Sequence, residues 1–412
     1  MSFFKKRLLR VLPLLAIIGP GIIAGTADND AGGITTYSIA GARFGYSLLW
    51  ILLLTTFSLA VTQEIGARMG IATGKGLASL IREKFGIKWT AFIMLILLIA
   101  NIGVIAAEFA GIAAALEIFN ISRLISVPFA VLMIFLLITK GSFKSLERIF
   151  LVFSSFYIVY IVSAILAKPD WGLAVRSVIT PTFKFGKEYL ITVIAVIGTT
   201  ITPWGQFFIQ DYVVDKKLST DDLKIERGDV FFGSFLTNFI SFFIIVACAA
   251  TLFTLGNNIT DAKDASLALK PLAGDFASVL FAFGLFNASI FGAAIVPVTT
   301  AYVISEAFGF ESGLNFKFKE APQFYSLFTF SLIFGALLVV IPFVKLISIL
   351  FFTQALNAIL LLPIFIFLYI LSNDRKLLNK YCNGNLVNII VIVTFVLISI
   401  MSIFYLFSLF FT

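Results

Sequence analysis

GPGIIAGTADNDAGGITTYSIAG, residues 19–41, lies within a long apolar run, yet it holds two aspartates, an asparagine and a glycine pair. A helix that only spans a bilayer has no use for Asp28, Asn29 and Asp30. An ionised side chain at the bilayer centre costs about 2.5–3.5 kcal/mol on insertion scales. Unwound backbone at that depth is tolerated only where it lines a cavity.

The surroundings are membrane. Of 412 residues, 60% are hydrophobic, 15% aromatic and only 13% charged, with a mean hydropathy of +1.05. That balance excludes a soluble domain of this length, and apolar runs of about twenty residues recur along the chain. The start, MSFFKKRLLRVLPLLAIIGPGIIAG, has the basic and apolar regions of a signal peptide. More apolar residues and ten further hydrophobic segments follow, so it reads as a retained first span. Eleven spans are expected, at 11–39, 44–70, 89–118, 124–139, 148–167 and 189–212, then 229–256, 272–305, 325–343, 346–371 and 387–410. Residues 1–412 read as one transmembrane domain with no soluble part. Cys248, in a span, and Cys382, in a loop, make no disulfide framework and no metal spacing. The net charge of +8 comes from loop lysines and arginines and does not point to nucleic acid.

Those loops orient the chain. Lys5, Lys6, Arg7 and Arg10 precede the first span; Lys75, Arg82, Lys84 and Lys88 follow the second; Lys216, Lys217, Lys224 and Arg227 follow the sixth. The loops on the opposite side carry fewer. The positive-inside rule then places the N-terminus in the cytoplasm and the C-terminus outside, in a multi-pass protein of the cell inner (plasma) membrane.

Two spans are broken: the first by TADNDAGG, Thr26 to Gly33, and the sixth by GTTITPWGQ, Gly198 to Gln206. In the second break Pro203 removes a backbone donor and two glycines loosen the helix. Breaks five helices apart suggest two five-helix halves of inverted topology, about 11–167 and 189–371, with 387–410 as an added eleventh helix. The substrate then belongs between the breaks, near the midplane.

Particular motifs add a family. GPGIIAGTADNDAGG resembles the first-helix signature of the Nramp divalent-metal transporters, whose metal motif is Asp-Pro-Gly-Asn. QEIGARMGIATGKGLASLIREKFG, residues 63–86, resembles their second helix and following loop. ITPWGQFFIQ, 201–210, stands where they carry Met-Pro-His-Asn, and TQALNAILLLP, 353–363, resembles their tenth helix. The resemblance covers nearly the whole chain. It implies an all-α, eleven-helix, LeuT-like fold. It also implies a metal site in which Asp30 takes the place of the family aspartate, Ala27 offers a carbonyl, and Gln354 completes the shell.

The departures from that pattern carry information. The same alignment sets Gly33 on the family's asparagine, Thr202 on the methionine that supplies a sulfur ligand, Thr199 on an alanine and Trp204 on the histidine. Glu108 is kept in AAEFAG, but Ile105 stands where an aspartate is usual. This combination is similar to the Nramp-related magnesium transporters, a prokaryotic branch, and implies transport of Mg2+, and also Mn2+, without proton coupling. Ligand chemistry agrees. With the soft thioether gone, the remaining donors are all oxygen, which suits a hard cation. Mg2+ keeps several waters, and Gly33 leaves room for them. The chain contains no histidine, so the commonest proton relay near neutral pH is missing; Glu108 alone could still carry a proton.

Plainer roles compete for each residue. Asp30 or Asn29 could cap the half helix AGGITTYS. Thr199 and Thr202 could bond back to helical carbonyls, Gln354 and Asn357 could bond between helices, and Glu108 could pair with a polar neighbour. Asp28 reads as a vestibule charge or a group behind the ligands, and Asn287 and Ser289 as packing. An enzyme finds no support, lacking histidine, a nucleophile elbow or a nucleotide loop. An amino-acid transporter of the same fold would gain nothing from Asp30 aimed at a substrate carboxylate. The alternative kept open is a proton-coupled Mn2+/Fe2+ symporter. No cofactor and no obligate protein partner are expected; the partners are the transported ion and the lipid bilayer.

Overall fold

The computed structural model describes residues 29–140, 157–184, 186–256, 259–314, 316–341 and 344–411. Ala27, Asp28 and the expected start of the first span lie outside them. The described chain opens with helix α1, Ala31–Phe44, which starts where the Asp30 carboxylate accepts the Gly33 amide at 2.6 Å. The expected interruption over 26–33 is therefore shorter at this end: Gly32 and Gly33 already sit in the first helical turn, because Asp30 is an effective cap.

Gly45, at φ +57°, turns the chain through a 3₁₀ segment into α2, Leu49–Thr73, which ends at left-handed Gly74. Next come α3 (Leu77–Phe85), α4 (Ile87–Glu117), α5 (Arg123–Lys140), α6 (Ile158–Leu166) and the short α7 (Trp171–Ile179). The second break separates α8, Lys187–Thr200, from α9, Pro203–Asp215. Only Ile201 and Thr202 are non-helical there, against the nine residues the sequence suggested. Pro203 fits the first turn, where its missing N–H costs nothing. The chain continues through α10 (Leu223–Cys248), α11 (Ala277–Phe308), α12 (Pro322–Val340), α13 (Leu346–Ser372) and α14 (Asn385–Phe411).

Among the described residues, nine helical stretches are long and apolar enough to cross a membrane, and one of them, Ala31–Thr73, contains both α1 and α2. The fifth expected span, 148–167, is described only as α6. In lipid, helices associate through close packing rather than hydrophobic exclusion, so small residues mark the contacts. A Cβ on Gly41 would reach Cys248 Cβ at 2.8 Å; one on Gly66 would reach Ile209 at 2.9 Å, and one on Gly70 the Gln210 carbonyl at 2.7 Å. So α1 lies tight on α10, and α2 on α9.

Ion pairs and caps gather at the two ends of the bundle. At one end Arg82 reaches the Ala307 carbonyl, Lys84 meets Asp374 at 2.5 Å, and Tyr302 donates to Asp215 at 2.6 Å. There Glu64 binds both Arg68 (3.1 Å) and Arg227 (2.7 Å), while Arg68 also reaches the Tyr381 carbonyl and Asn383. This ties the segment leading to α14 onto α2. At the other end Arg123 binds Glu117 and the Val344 carbonyl, near Thr260–Lys263 and Lys345.

Candidate functional site

The start of α1 and the α8/α9 break meet in the interior, against α13 and α4. Tyr37 of α1 and Thr200 of α8 share a hydroxyl–hydroxyl bond of 2.8 Å. Gln354 of α13 is wedged between the two. A Cβ on Gly32 would collide with its side-chain amide, and one on Gly198 with its backbone carbonyl and, at 2.7 Å, with the Ala358 nitrogen. Gly198 lets the α8 and α13 backbones touch, and Gly32 leaves room for the Gln354 side chain, where larger residues would force them apart.

Asp30 is 2% exposed and Glu108 of α4 is fully buried. Their carboxylates face each other, and Glu108 also faces the Ala31 amide. Neither Glu108 oxygen has a well-formed hydrogen bond. The Glu108 carboxylate rests on Gly292 of α11, where a Cβ would sit 2.5 Å from its Oε1. No lysine or arginine pairs with either carboxylate among the described residues. Two buried anions facing each other without a cationic side chain demand a proton or a metal ion.

The oxygen donors expected beside them are near, but several are already engaged. Gly33 serves the cap through its amide. Thr202 caps α9, accepting from the Gly205 amide at 3.2 Å. Thr199 is buried and its hydroxyl has no partner. Asn357 donates to Gln354 Oε1 at 3.1 Å, which leaves Gln354 Nε2 and Asn357 Oδ1 unpaired. That bond lies within one helix, not between helices as the plainer reading had it. Turning both amides keeps the bond with roles exchanged and presents Gln354 oxygen beside Gly32. Ser289 bonds back to the Leu285 carbonyl and Asn287 is buried.

The departures of the sequence have structural counterparts. Ile105 is fully buried, packed where a Cβ on Gly335 of α12 would meet it. Trp204 is 1% exposed, its indole N–H lacks a hydrogen-bond partner, and it stands edge-on to Phe208 at 5.6 Å. A bulky apolar wall thus occupies the first turn of α9.

Sequence reasoning missed three groups. Asn29 does not cap; it donates to the Thr237 carbonyl (3.2 Å), accepts from Ser241 (3.0 Å), and its carbonyl accepts from Tyr157 (2.5 Å). This pins the unwound segment to α10. Thr237 and Ser241 stand one turn apart, and that polar i,i+4 pair was the available signal. Gln63 of α2 and Gln206 of α9 are buried with both amide atoms unpartnered. No group of three histidine, cysteine, aspartate or glutamate side chains could hold a metal among the described residues. An ion here would draw its remaining ligands from hydroxyl, amide and carbonyl oxygens or water.

The sequence profile described as "Nramp: Natural resistance-associated macrophage protein-like" matches residues 21–408. Over 319 residues the chain is 30% identical to the divalent metal cation transporter MntH of Deinococcus radiodurans, an alignment covering 73% of this chain and 70% of that one. A manganese transporter of Eremococcus coleocola, solved in complex with an aromatic bis-isothiourea compound, superposes with a TM-score of 0.76. Its identity is 20%, with 96% of this chain and 86% of that one covered. MhsT, solved with L-phenylalanine, superposes with a TM-score of 0.62 at 13% identity, covering 94% and 98%. The two superpositions establish the fold, that of the LeuT-like transporters.

Proposed function

The chain belongs to the Nramp family, and from that premise we propose that it carries divalent metal ions, Mg2+ first and Mn2+ also, across the inner membrane without proton coupling. The N-terminus is then cytoplasmic, and the ion sits partly hydrated between the breaks. Asp30 supplies the charge; Thr199, Thr202, Gln354, the Ala27 carbonyl and the small Gly33 surround it, with Asp28, Asn357 and Glu108 behind. The observation that carries this reading is the buried Asp30 at the mouth of α1, facing a second carboxylate with no basic side chain among the described residues to answer it. Absence of sulfur favours a hard ion, and Mg2+ binds through few carboxylates plus retained water. Transport follows as the two five-helix repeats rock about the site.

One observation favours the second reading, a proton-coupled Mn2+ carrier. Glu108 faces Asp30, so a proton leaving that pair as metal enters could be handed on. Relatives at 30% and 20% identity are named as divalent metal and manganese transporters. Uptake of Mg2+, Mn2+ and Ca2+ into proteoliposomes holding a pH dye separates the two. Saturable Mg2+ entry at constant internal pH supports the first. Metal-driven acidification that disappears in Glu108→Gln would establish the second.

A further inference from the structure

At the end of the bundle where α2, α9 and α11 finish, two carboxylates from different helices close on one glycine. Asp211 of α9 and Glu306 of α11 face each other. A Cβ on Gly76 would stand 2.5 Å from Glu306 Oε1, and nearer still to Glu306 Oε2 and Asp211 Oδ1. Glu306 Oε1 is provided for by the Gly76 amide at 3.1 Å and the Ser79 hydroxyl at 2.7 Å. The other three oxygens, Glu306 Oε2 and both of Asp211, have no well-formed hydrogen bond; Asp211, only 7% exposed, faces the Leu77 amide at the start of α3.

An amide stands beside them. Gln210 is fully buried; its Nε2 donates at 2.9 Å to the carbonyl of Lys75, the residue before Gly76, and its Oε1 has no donor. One turn along α9, Asp215 stands apart from the pair, its carboxylate accepting from the Tyr302 hydroxyl at 2.6 Å. No basic side chain pairs with Asp211 or Glu306 among the described residues. Hard oxygens from two carboxylates and a neutral amide are the ligand types that divalent cations such as Mg2+, Mn2+ and Ca2+ take.

We propose that Asp211, Glu306 and the Gln210 amide oxygen form a second divalent-cation site, separate from the one at Asp30. Asp211 lies nine residues beyond Thr202 on the same half helix, about 14 Å at 1.5 Å per residue. The site bridges α9, α11 and the turn at Gly76, so a bound ion fastens this end of the bundle shut. Metal accumulating on that side would then slow its own further passage.

The test is Mn2+ binding to the full chain by electron paramagnetic resonance, in an Asp30→Ala background. One saturable Mn2+ is expected to remain, weakened at least tenfold by adding Asp211→Asn or Glu306→Gln. Loss of all binding in Asp30→Ala, or residual binding indifferent to both further changes, overturns the proposal. The near-isosteric Asp211→Asn also stands for a protonated carboxyl; unchanged Mn2+ binding in it would show that a shared proton, not a metal, joins the pair. Because a variant can misfold, the unsubstituted chain is also loaded with Fe2+ and cleaved with ascorbate and peroxide. Backbone cuts near 76 and 211 are expected, and cuts confined to the region of 30 and 202 refute the second site. The transport reading fails separately, by undiminished uptake in Asp30→Ala.

Discussion

Asp30→Asn separates two roles that Asp30 combines. As a cap it accepts the Gly33 amide at 2.6 Å, and asparagine caps a helix about as well as aspartate, so α1 should keep its start. As a charge it stands 2% exposed and faces Glu108. Removing it relieves both a like-charge contact and a burial cost of about 2.5–3.5 kcal/mol. The metal-free variant should therefore melt at or above the temperature of the unsubstituted chain. Metal binding moves the other way. A divalent ion 4 Å from one carboxylate gains about 8 kcal/mol at an effective dielectric of 20. If dehydration offsets half, losing the charge weakens binding about a thousandfold, since 1.4 kcal/mol is a factor of ten. The assay pairs a thermal melt with and without Mn2+ against Mg2+ uptake in proteoliposomes. Retained melting, lost metal-induced stabilisation and lost uptake are expected. A variant that melts normally and still transports would show Asp30 to be a cap alone.

Gly198→Ala drives a Cβ into the α13 backbone, 2.7 Å from the Ala358 nitrogen, where neither partner is a side chain that can swing away. We expect a loss of about 1–3 kcal/mol from overpacking and a greater fractional loss of transport, read by melting and uptake together; unchanged values in both would refute the contact. Thr202→Met combined with Gly33→Asn restores a soft sulfur and an amide, and competition uptake should shift from Mg2+ toward Mn2+ or Cd2+. Unaltered preference would remove both positions from the ion's surroundings. Outside the spans, the hydrogen bond from Lys84 holds the Asp374 carboxyl below its ordinary range. A lowered folded-state value means stability is present above the unfolded value and lost as pH falls through the folded one. Lys84→Met should thus cost under about 1 kcal/mol near neutral pH, because the pair is partly solvated, and the difference should vanish in acid; a larger cost at low pH would contradict the pairing.

The break in the sixth span was legible because glycine, proline and charge are conspicuous in hydrocarbon-length apolar runs; the first span before Asn29 lies outside the described residues. Asp30 was legible for the same reason, and Ile105 and Trp204 by their departure from a pattern. The break lengths were not. Capping by Asp30 and Thr202 is local, and it extends each half helix further than composition suggests. Gly32 and Gly198 were visible as breaks in a helix, but their fit against Gln354 was not, since that partner lies more than a hundred residues away. Asp211 and Glu306 were passed over because charges near helix ends are ordinarily solvated; only the tertiary fold sets them face to face. Ala27 remains assigned by resemblance, and Asp28 only by its charge within the first interruption.

The indole of Trp204 turns the break into an optical reporter. Of four tryptophans in the chain, Trp89 and Trp171 are 53% and 37% exposed, whereas Trp204 is 1% and Trp50 7%. Its unpartnered N–H and phenylalanine neighbour give it apolar surroundings and hence emission at short wavelength. Any rearrangement that admits water beside Thr202 would redden and dim that light. With the other three replaced by phenylalanine, a single fluorescence trace would time the opening of the pathway without a label, turnover by turnover.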